Sequence, residues 1–319
     1  MHDTPSHLAY GRLVPSAWLL REHECATGVR EVHDRSASLR AFFASYVSRS
    51  GRVHNPRVER AFAAVMREPF VGPGPWSIAI PGVGYVKTPD ADIAFIYQDT
   101  LVALDPSRGI HIGQPSAHAR WLDALAPAEG ESVVQVGART GYYTALLGHL
   151  VGPAGTINAY EIDQDLAARA RVNLKDLTQV EVHPRTGIAD NLPKADAVYV
   201  NAGITQPSWA WLDALRPNGR LVFPLHAVGR IGGMLLIKRP AHGTRWPARF
   251  LSAAAFMSCT GPQDDDAGRR LNAAFASGGV DAVRSFRTDD DIDQTCWFRG
   301  DGWWLSTSDV EHPSGLRLR

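Results

Sequence analysis

The sequence predicts an α/β fold: a doubly wound, mostly parallel sheet that is preceded by helices and followed by a C-terminal extension. Two observations favour this fold. Between residues 131 and 225, short apolar segments alternate with segments of helical spacing, which is typical of a parallel sheet covered by helices on both faces. The first of these strands also runs into a turn with two glycines, Gly137 and Gly141, and ligands bind beside such turns in open α/β sheets.

The composition indicates a globular protein with no electrostatic signature of nucleic-acid or membrane binding. The chain has 319 residues, 45% of them hydrophobic and 21% charged, and its net charge is zero, so no basic surface is expected. Its three cysteines are far apart and form no CxxC pair, which argues against disulfides and a zinc site. No apolar run approaches the ~20 residues of a membrane span, and no signal-peptide core is present. We therefore expect a cytoplasmic protein without a metal.

Helices are expected before the sheet. Apolar residues recur with helical spacing over 36–50, and Asn55-Pro56 is a favourable helix start for the segment 56–68. Residues 69–90 are rich in proline and glycine and are predicted to be mostly loop. A further helix is predicted over 114–126.

The alternating region supplies the predicted core. Its strands are expected at 132–136, 156–161, 180–184, 195–201 and 220–225, and its helices at 141–151, 164–177 and 207–215. Two more strands, over 234–240 and 250–259, would form an antiparallel edge. The predicted regions are thus a helical region with a substrate loop (1–113), a ligand-binding core (114–240) and an extension (241–319).

The extension combines a predicted helix over 265–279 with a tryptophan-rich hairpin over 296–307 that turns at 300–302. Two interpretations of Trp297, Trp303 and Trp304 are open. They could form a docking face for a peptide, or they could pack the hairpin against the core.

The glycine turn and an acidic residue together predict a nucleoside site. Glycine lets the backbone approach a ligand closely and adopt positive φ. Glu161 ends the next strand, where its carboxylate can accept hydrogen bonds from both hydroxyls of a ribose. A dinucleotide motif would have glycine at positions 139 and 142, which are Arg139 and Tyr142, so a nicotinamide dehydrogenase is disfavoured. The glycines could also serve only close helix–strand packing.

Four segments in order resemble the protein-L-isoaspartate O-methyltransferase family, which belongs to the class I S-adenosyl-L-methionine (SAM) methyltransferases. They are "MREPFVGPG", "GIHIGQPSAHARWLDAL", "VVQVGARTGYYTALLGHLVGPAGTINAYEID" and "PNGRLVFPL". The resemblance covers about residues 61–239. It implies a Rossmann-like fold, SAM as cofactor, and carboxyl O-methylation of isoaspartyl residues in proteins or peptides.

The resemblance also implies roles for single residues. The glycine turn would lie along the methionine part of SAM, Glu161 would bind the ribose, and Ile162 would pack on the adenine. The implied cofactor-binding residues are Gln135, Gly137, Ala138, Gly141, Glu161, Ile162, Thr186, Gly187 and Asn201. The loop that would close over cofactor and substrate supplies His111, Gly113 and Gln114 as candidate catalytic residues.

Four positions depart from the family pattern. Gln135 replaces an acidic residue, Arg139 a glycine, Thr186 an aspartate, and Gly113 a serine that meets the substrate. If position 139 is left-handed, a non-glycine residue costs about 1–2 kcal/mol, and we expect the Arg139 guanidinium to point outward, away from a sulfonium. We also expect Gly113→Ser to improve methylation of isoaspartyl peptides.

These departures leave three functions open: a repair enzyme with variant contacts, a methyltransferase for another peptide or a small metabolite, or a weakly catalytic SAM-binding protein. A carboxylate acceptor needs no general base, whereas an amine or alcohol usually does. His111 is the first candidate for such a base, and His118 is expected to be a packed or a surface histidine.

Overall fold

A computed structural model describes residues 35–188, 191–227, 230–256 and 265–310. The helices are α1 (35–51), α2 (Pro56–Ala64), α3 (Glu68–Val71), α4 (Pro115–Leu125), α5 (Tyr142–Val151), α6 (Gln164–Asn173), α7 (Trp209–Ala214) and α8 (Asp265–Ala276). The strands are β1 (Ser77–Ile80), β2 (Gly84–Lys87), β3 (Ala103–Asp105), β4 (Ile110–His111), β5 (Ser132–Val136), β6 (Thr156–Tyr160), β7 (Val180–His183), β8 (Ala195–Val200), β9 (Leu215–Leu225), β10 (Gly232–Lys238), β11 (Arg245–Ala254), β12 (Ser285–Arg287), β13 (Cys296–Arg299) and β14 (Trp304–Ser306).

Ten of the strands in the described ranges form one sheet, in the order β13-β14-β12-β11-β10-β9-β8-β5-β6-β7. Five neighbouring strands of this sheet run parallel to one another: β7, β6, β5, β8 and β9. The other five, β10, β11, β12, β14 and β13, continue the sheet from β9 by antiparallel pairing. Helices α1, α2, α4, α5 and α6 supply apolar side chains to one face, and α7 and α8 to the other. The predicted doubly wound α/β fold is confirmed. None of the helices described is long and apolar enough to cross a membrane.

The antiparallel part is larger than the predicted edge pair. β10 and β11 are interior strands, because β12, β14 and β13 continue the same sheet beyond them. The predicted strand over 250–259 begins earlier, at Arg245, and ends at Ala254; its last three predicted residues lie outside the described ranges. The extension therefore shares the sheet of the core.

Several predicted boundaries were wrong. The segment 56–68 is not one helix, because Val65 is extended (φ −87°, ψ 116°) and ends α2. The segment 69–90 is not mostly loop, since it contains the end of α3 and the β1–β2 hairpin. The predicted helices 164–177, 207–215 and 265–279 end at Asn173, Ala214 and Ala276, and the strand predicted from 220 begins at Leu215.

The tryptophans of the hairpin pack against the core. Trp303 and Trp304 are 2% and 1% exposed, and Trp303 stacks on Phe286 with 5.5 Å between ring centroids. The half-buried Trp297 contacts the rings of Phe250 and Phe275. The packing interpretation is confirmed, because Trp303 and Trp304 are buried and Trp297 packs against Phe250 and Phe275.

Candidate active site

A cavity of about 250 Å³ opens where β5, β6 and β8 end at the same edge of the sheet. Parallel strands place their following loops together, so residues distant in sequence meet there. The wall consists of Arg108, Ile110, Val136, Gly137, Arg139, Tyr160, Glu161, Ile162, Asp163, Arg185, Thr186, Gly187, Asn201 and Ala202. Six of the nine residues predicted to bind the cofactor lie in this wall.

The glycine turn after β5 depends on Gly137. Its φ is +81°, and a Cβ built there would lie 3.2 Å from the carbonyl oxygen of Asn201. A side chain at this position would be strained and would also crowd the end of β8. Gly137 is therefore what keeps this part of the wall open.

Three other predicted cofactor residues lie behind the wall. Ala138 is buried, and Gly141 caps α5 with its Cα facing Leu174, which a Cβ would approach to 2.7 Å. Gln135 is fully buried within β5, and neither amide atom has a hydrogen-bond partner among the described residues. The structure thus brings none of these three side chains to the cavity.

Glu161 lies in the wall of the cavity and is 4% exposed. One carboxylate oxygen accepts a hydrogen bond from the backbone N–H of Arg139 (2.7 Å), and the other accepts from Asp163 N–H (3.0 Å). A carboxylate offers about four acceptor positions, so both oxygens can still accept from a ligand's hydroxyls. The adjacent Ile162 is 47% exposed and presents an apolar side chain.

The far side of the cavity is shaped by Thr186 and Gly187. A Cβ on Gly187 would lie 2.8 Å from Val136 and 3.0 Å from Tyr160, so this position has no room for a side chain. The indole of Trp211 donates to the Gly187 carbonyl (2.7 Å) and fixes the loop.

A second cavity, much smaller at about 20 Å³, lies next to the first. Its wall consists of His111, Ile112, Gly113, His118, Gly137, Arg139, Tyr143, Asn201 and Phe256. The two cavities share Gly137, Arg139 and Asn201. The Asn201 Oδ1 atom is buried and has no hydrogen-bond partner among the described residues. A hydrogen-bond acceptor that could bind a ligand's donor therefore lies where the two cavities meet.

His111 faces the small cavity as a neutral ring. Its Nδ1 accepts a hydrogen bond from Gly113 N–H (3.0 Å), which places the ring proton on Nε2. Burial lowers the pKa of His111 to about 4, and the nearby Arg139 charge lowers it further. His111 is therefore a weak base at neutral pH.

Of the packed and surface positions expected for His118, the structure shows the packed one, and the residue also lines the small cavity. The ring is 3% exposed, stacks on Tyr143 with centroids 3.5 Å apart, and has its Nδ1 2.7 Å from the Tyr199 hydroxyl. A Cβ on Gly113, where φ is +88°, would lie 2.4 Å from His118 Nε2. The structure does not favour the expected gain from serine at position 113, because the imidazole already fills that space; the effect on activity stays a prediction.

Arg139 adopts the left-handed conformation considered for it, with φ +55°. Its side chain does not point outward as expected, since it lines both cavities. The backbone N–H of Arg139 is tied to Glu161, which holds the residue at the junction of the two cavities.

Two further arginines in the wall were missed. Arg108 forms ion pairs with Asp105 and Asp163 (2.5 and 2.6 Å), and the Arg185 guanidinium lies 5.0 Å from the centre of the Tyr160 ring. No local motif marks them, because tertiary contacts bring them to the cavity.

Gln114 lies outside both cavities. Its amide donates to Asp99 (3.3 Å), and the same carboxylate accepts from Ser116 N–H (2.8 Å) and from the Ser116 hydroxyl (2.6 Å). Gln114 thus helps to fix the start of α4. In the described ranges, no group of three His, Cys, Asp or Glu side chains could hold a metal ion.

A doubly wound sheet with a glycine turn and an acidic strand end at its carboxyl edge is the architecture of Rossmann-like methyltransferases. Residues 42–260 match the family model described as protein-L-isoaspartate(D-aspartate) O-methyltransferase. The chain belongs to this family.

Relatives agree with this membership, and solved structures agree with the fold. The protein-L-isoaspartate O-methyltransferase of Aeropyrum pernix is 32% identical over 60% of this chain and 67% of the relative. The protein-L-isoaspartate O-methyltransferase of Brucella anthropi is 28% identical over 59% of this chain and 78% of the relative. A solved protein-L-isoaspartate O-methyltransferase superposes with a TM-score of 0.58 at 19% identity, covering 74% of this chain and 69% of that chain. A Plasmodium falciparum structure in complex with S-adenosyl-L-homocysteine gives 0.53 at 19% identity, with 69% and 97% covered.

Proposed function

We propose that the protein transfers a methyl group from SAM to the carboxylate of an isoaspartyl residue in a protein or peptide. Membership of the family and the names of the relatives support this reaction. The observation that carries the proposal for this chain is the chemistry of the small cavity, which presents hydrogen-bond donors and a cation to the acceptor. The cytoplasmic location and a role in protein repair remain predictions.

The larger cavity suits the cofactor. Glu161 retains acceptor capacity for the ribose hydroxyls. The exposed apolar side chain of Ile162 and the absence of a side chain at Gly187, both in the cavity wall, suit the adenine. The unpartnered Oδ1 of Asn201 is an acceptor for the ammonium group of the methionine part. When bound, SAM supplies a methyl group on a sulfonium that is already an activated leaving group.

The small cavity suits a carboxylate acceptor. Among the described residues in its wall there is no Asp or Glu, and His111 is too weak a base to deprotonate an amine or alcohol at neutral pH. An isoaspartyl carboxylate, with an ordinary pKa near 4, is already ionised at neutral pH and needs no base. The arrangement therefore favours ester formation over methylation of a protonated acceptor.

The residues of this chain act by position and charge. The Nε2–H of His111 can donate to a carboxylate oxygen, and the Arg139 guanidinium offsets the negative charge of the acceptor. The volume of about 20 Å³ leaves room for about one small group and little water. Such confinement supplies alignment, which is the main requirement of an in-line displacement.

A matched pair of peptides tests the proposal. The protein is incubated with methyl-labelled SAM and with two peptides that differ only in carrying an isoaspartyl or an aspartyl residue. We expect base-labile label, released as methanol, from the isoaspartyl peptide alone. Base-stable label, equal labelling of both peptides, or labelling of a small metabolite in their place would overturn the proposal, and SAM binding without any transfer would favour the weakly catalytic alternative.

A further inference from the structure

We infer that His118 is a substrate-binding residue whose Nε2–H donates a hydrogen bond to the acceptor carboxylate. Its Nε2 atom occupies the space that a side chain at position 113 would otherwise fill. This inference rests on the proposed function and adds a specificity-determining residue to it. The observations are the direction of the imidazole, the identity of the nitrogen that carries the proton, and the rigidity of the ring.

The direction of the ring follows from Gly113. The His118 Nε2 atom lies 2.4 Å from the position of a Cβ on Gly113, and Cδ2 lies 3.0 Å from it. Any L side chain at position 113 would therefore collide with this edge of the imidazole. Because Gly113 has none, Nε2 faces the small cavity, in whose wall both residues lie.

The position of the proton follows from Tyr199. This tyrosine is fully buried, and its hydroxyl lies 2.7 Å from His118 Nδ1. If the hydroxyl only accepted from Nδ1, its own proton would find no acceptor among the described residues, and an unsatisfied buried donor is unfavourable. The hydroxyl therefore donates to Nδ1, and the neutral ring carries its proton on Nε2. Burial keeps the ring neutral, because it lowers the pKa of His118 well below its ordinary value.

The ring is held rigidly in this orientation. Tyr143 stacks against one face with an interplanar angle of 7°, and Trp121 contacts the ring edge-on at 4.9 Å between centroids. The Tyr143 hydroxyl in turn donates to the Gly113 carbonyl (3.2 Å). A donor fixed before the substrate arrives loses little freedom on binding, so its hydrogen bond retains more of its value.

The consequence for the reaction is orientation of the acceptor. A hydrogen bond from Nε2–H to one oxygen of the carboxylate leaves the other oxygen to attack the methyl group. The new bond forms between this oxygen and the methyl carbon while the bond from that carbon to the sulfonium sulfur breaks. No proton is transferred, so His118 remains neutral throughout and acts as a donor only.

The test compares two substitutions at position 118. His118→Phe keeps a flat ring against Tyr143 but removes both nitrogens, whereas His118→Gln keeps an N–H at about the reach of Nε2. We expect kcat/KM for the isoaspartyl peptide to fall about ten- to a hundredfold in His118→Phe and to be restored to within about fivefold of the wild type in His118→Gln. SAM affinity, measured by calorimetry, should change by less than about twofold in both. His149→Phe, at an exposed histidine of α5, should match the wild type.

A nitrogen-15 NMR spectrum of the wild-type imidazole adds a readout that requires neither turnover nor a variant. We expect the proton on Nε2, and a proton on Nδ1 would overturn the inference even if His118→Phe failed to fold. Tyr199→Phe should populate both tautomers and lower kcat/KM while leaving SAM affinity unchanged, because Tyr199 acts through His118. A folded His118→Phe enzyme with wild-type kcat/KM would overturn the role of His118 alone, whereas a wild type that makes no methyl ester from the isoaspartyl peptide would overturn the proposed function and this role with it.

Discussion

Replacing Gly113 by alanine tests the packing on which the small cavity depends. The substitution adds one methyl group at a residue whose φ is +88°, 2.4 Å from His118 Nε2 and 3.3 Å from Tyr143 Cε2. The imidazole cannot easily turn away, because it is hydrogen-bonded to Tyr199 and stacked on Tyr143. The new methyl group must therefore displace a fixed ring by about 1 Å to reach ordinary van der Waals distance.

The expected loss of stability has two parts. A left-handed backbone conformation costs a non-glycine residue about 1–2 kcal/mol. Overpacking of a well-filled site typically costs about 1–3 kcal/mol more. Gly113→Ala should therefore lower the free energy of unfolding by about 2–5 kcal/mol and should also reduce peptide methylation, because the displaced His118 ring no longer faces the acceptor.

Urea unfolding of this variant and of a matched control separates the two parts. Gly109 also has positive φ (+68°), but a Cβ there would meet no atom within 4 Å, so Gly109→Ala should show only the backbone part of about 1–2 kcal/mol. Adding His118→Ala to Gly113→Ala should remove most of the steric part. The reasoning would be refuted if Gly113→Ala and Gly109→Ala lowered the free energy of unfolding equally and if adding His118→Ala did not change the effect of Gly113→Ala.

Three further predictions follow from the larger cavity and from the buried histidines. Glu161→Ala should weaken SAM binding at least tenfold in calorimetry and lower the free energy of unfolding by about 1–3 kcal/mol, because the Arg139 N–H loses its acceptor; unchanged affinity would remove Glu161 from the site. Arg139→Gly should relieve left-handed strain, strengthen SAM more than S-adenosyl-L-homocysteine and raise KM for the peptide; an unchanged ratio of the two affinities would exclude repulsion of the sulfonium. The pKa of His111 falls from 6.5 to about 4 on folding. The contribution of the neutral ring to the free energy of unfolding is therefore complete above about pH 6.5 and declines by about 3 kcal/mol as the pH falls toward 4. In urea unfolding, His111→Gln should lack this part of the decline, and the same acid dependence as the wild type would contradict the burial of His111.

The parallel core could be predicted because its signals are local. β5, β6 and β8 each contain a short apolar pattern, and the turn at Gly137 and the acid at Glu161 directly follow β5 and β6. β9 begins at Leu215, five residues before the predicted strand, although Pro217-Asn218-Gly219 is a sequence typical of a turn. In the structure these residues lie inside an extended segment, with Asn218 at φ +65° and irregular pairing to β8.

The acceptor side could not be predicted in the same way. From the sequence, Gly113 indicates only the loss of the family's serine hydroxyl, because the sequence does not show that the His118 ring occupies the adjacent space. That ring is fixed by Tyr199, which lies 81 residues further along the chain on β8. The Arg139 guanidinium was expected to point outward, away from a sulfonium, but the residue lines both cavities, and its backbone N–H is hydrogen-bonded to Glu161.

The pH dependence of kcat/KM for an isoaspartyl peptide tests the central claim, that the site takes an already ionised carboxylate without a general base, most directly. The carboxylate is ionised above about pH 5, and the pKa of His111 is about 4, so neither group titrates near neutrality. We predict a profile that is flat between about pH 6 and about pH 8 and falls only at lower pH. A rise of about tenfold per pH unit through this range, which a deprotonating base would produce, would contradict the claim.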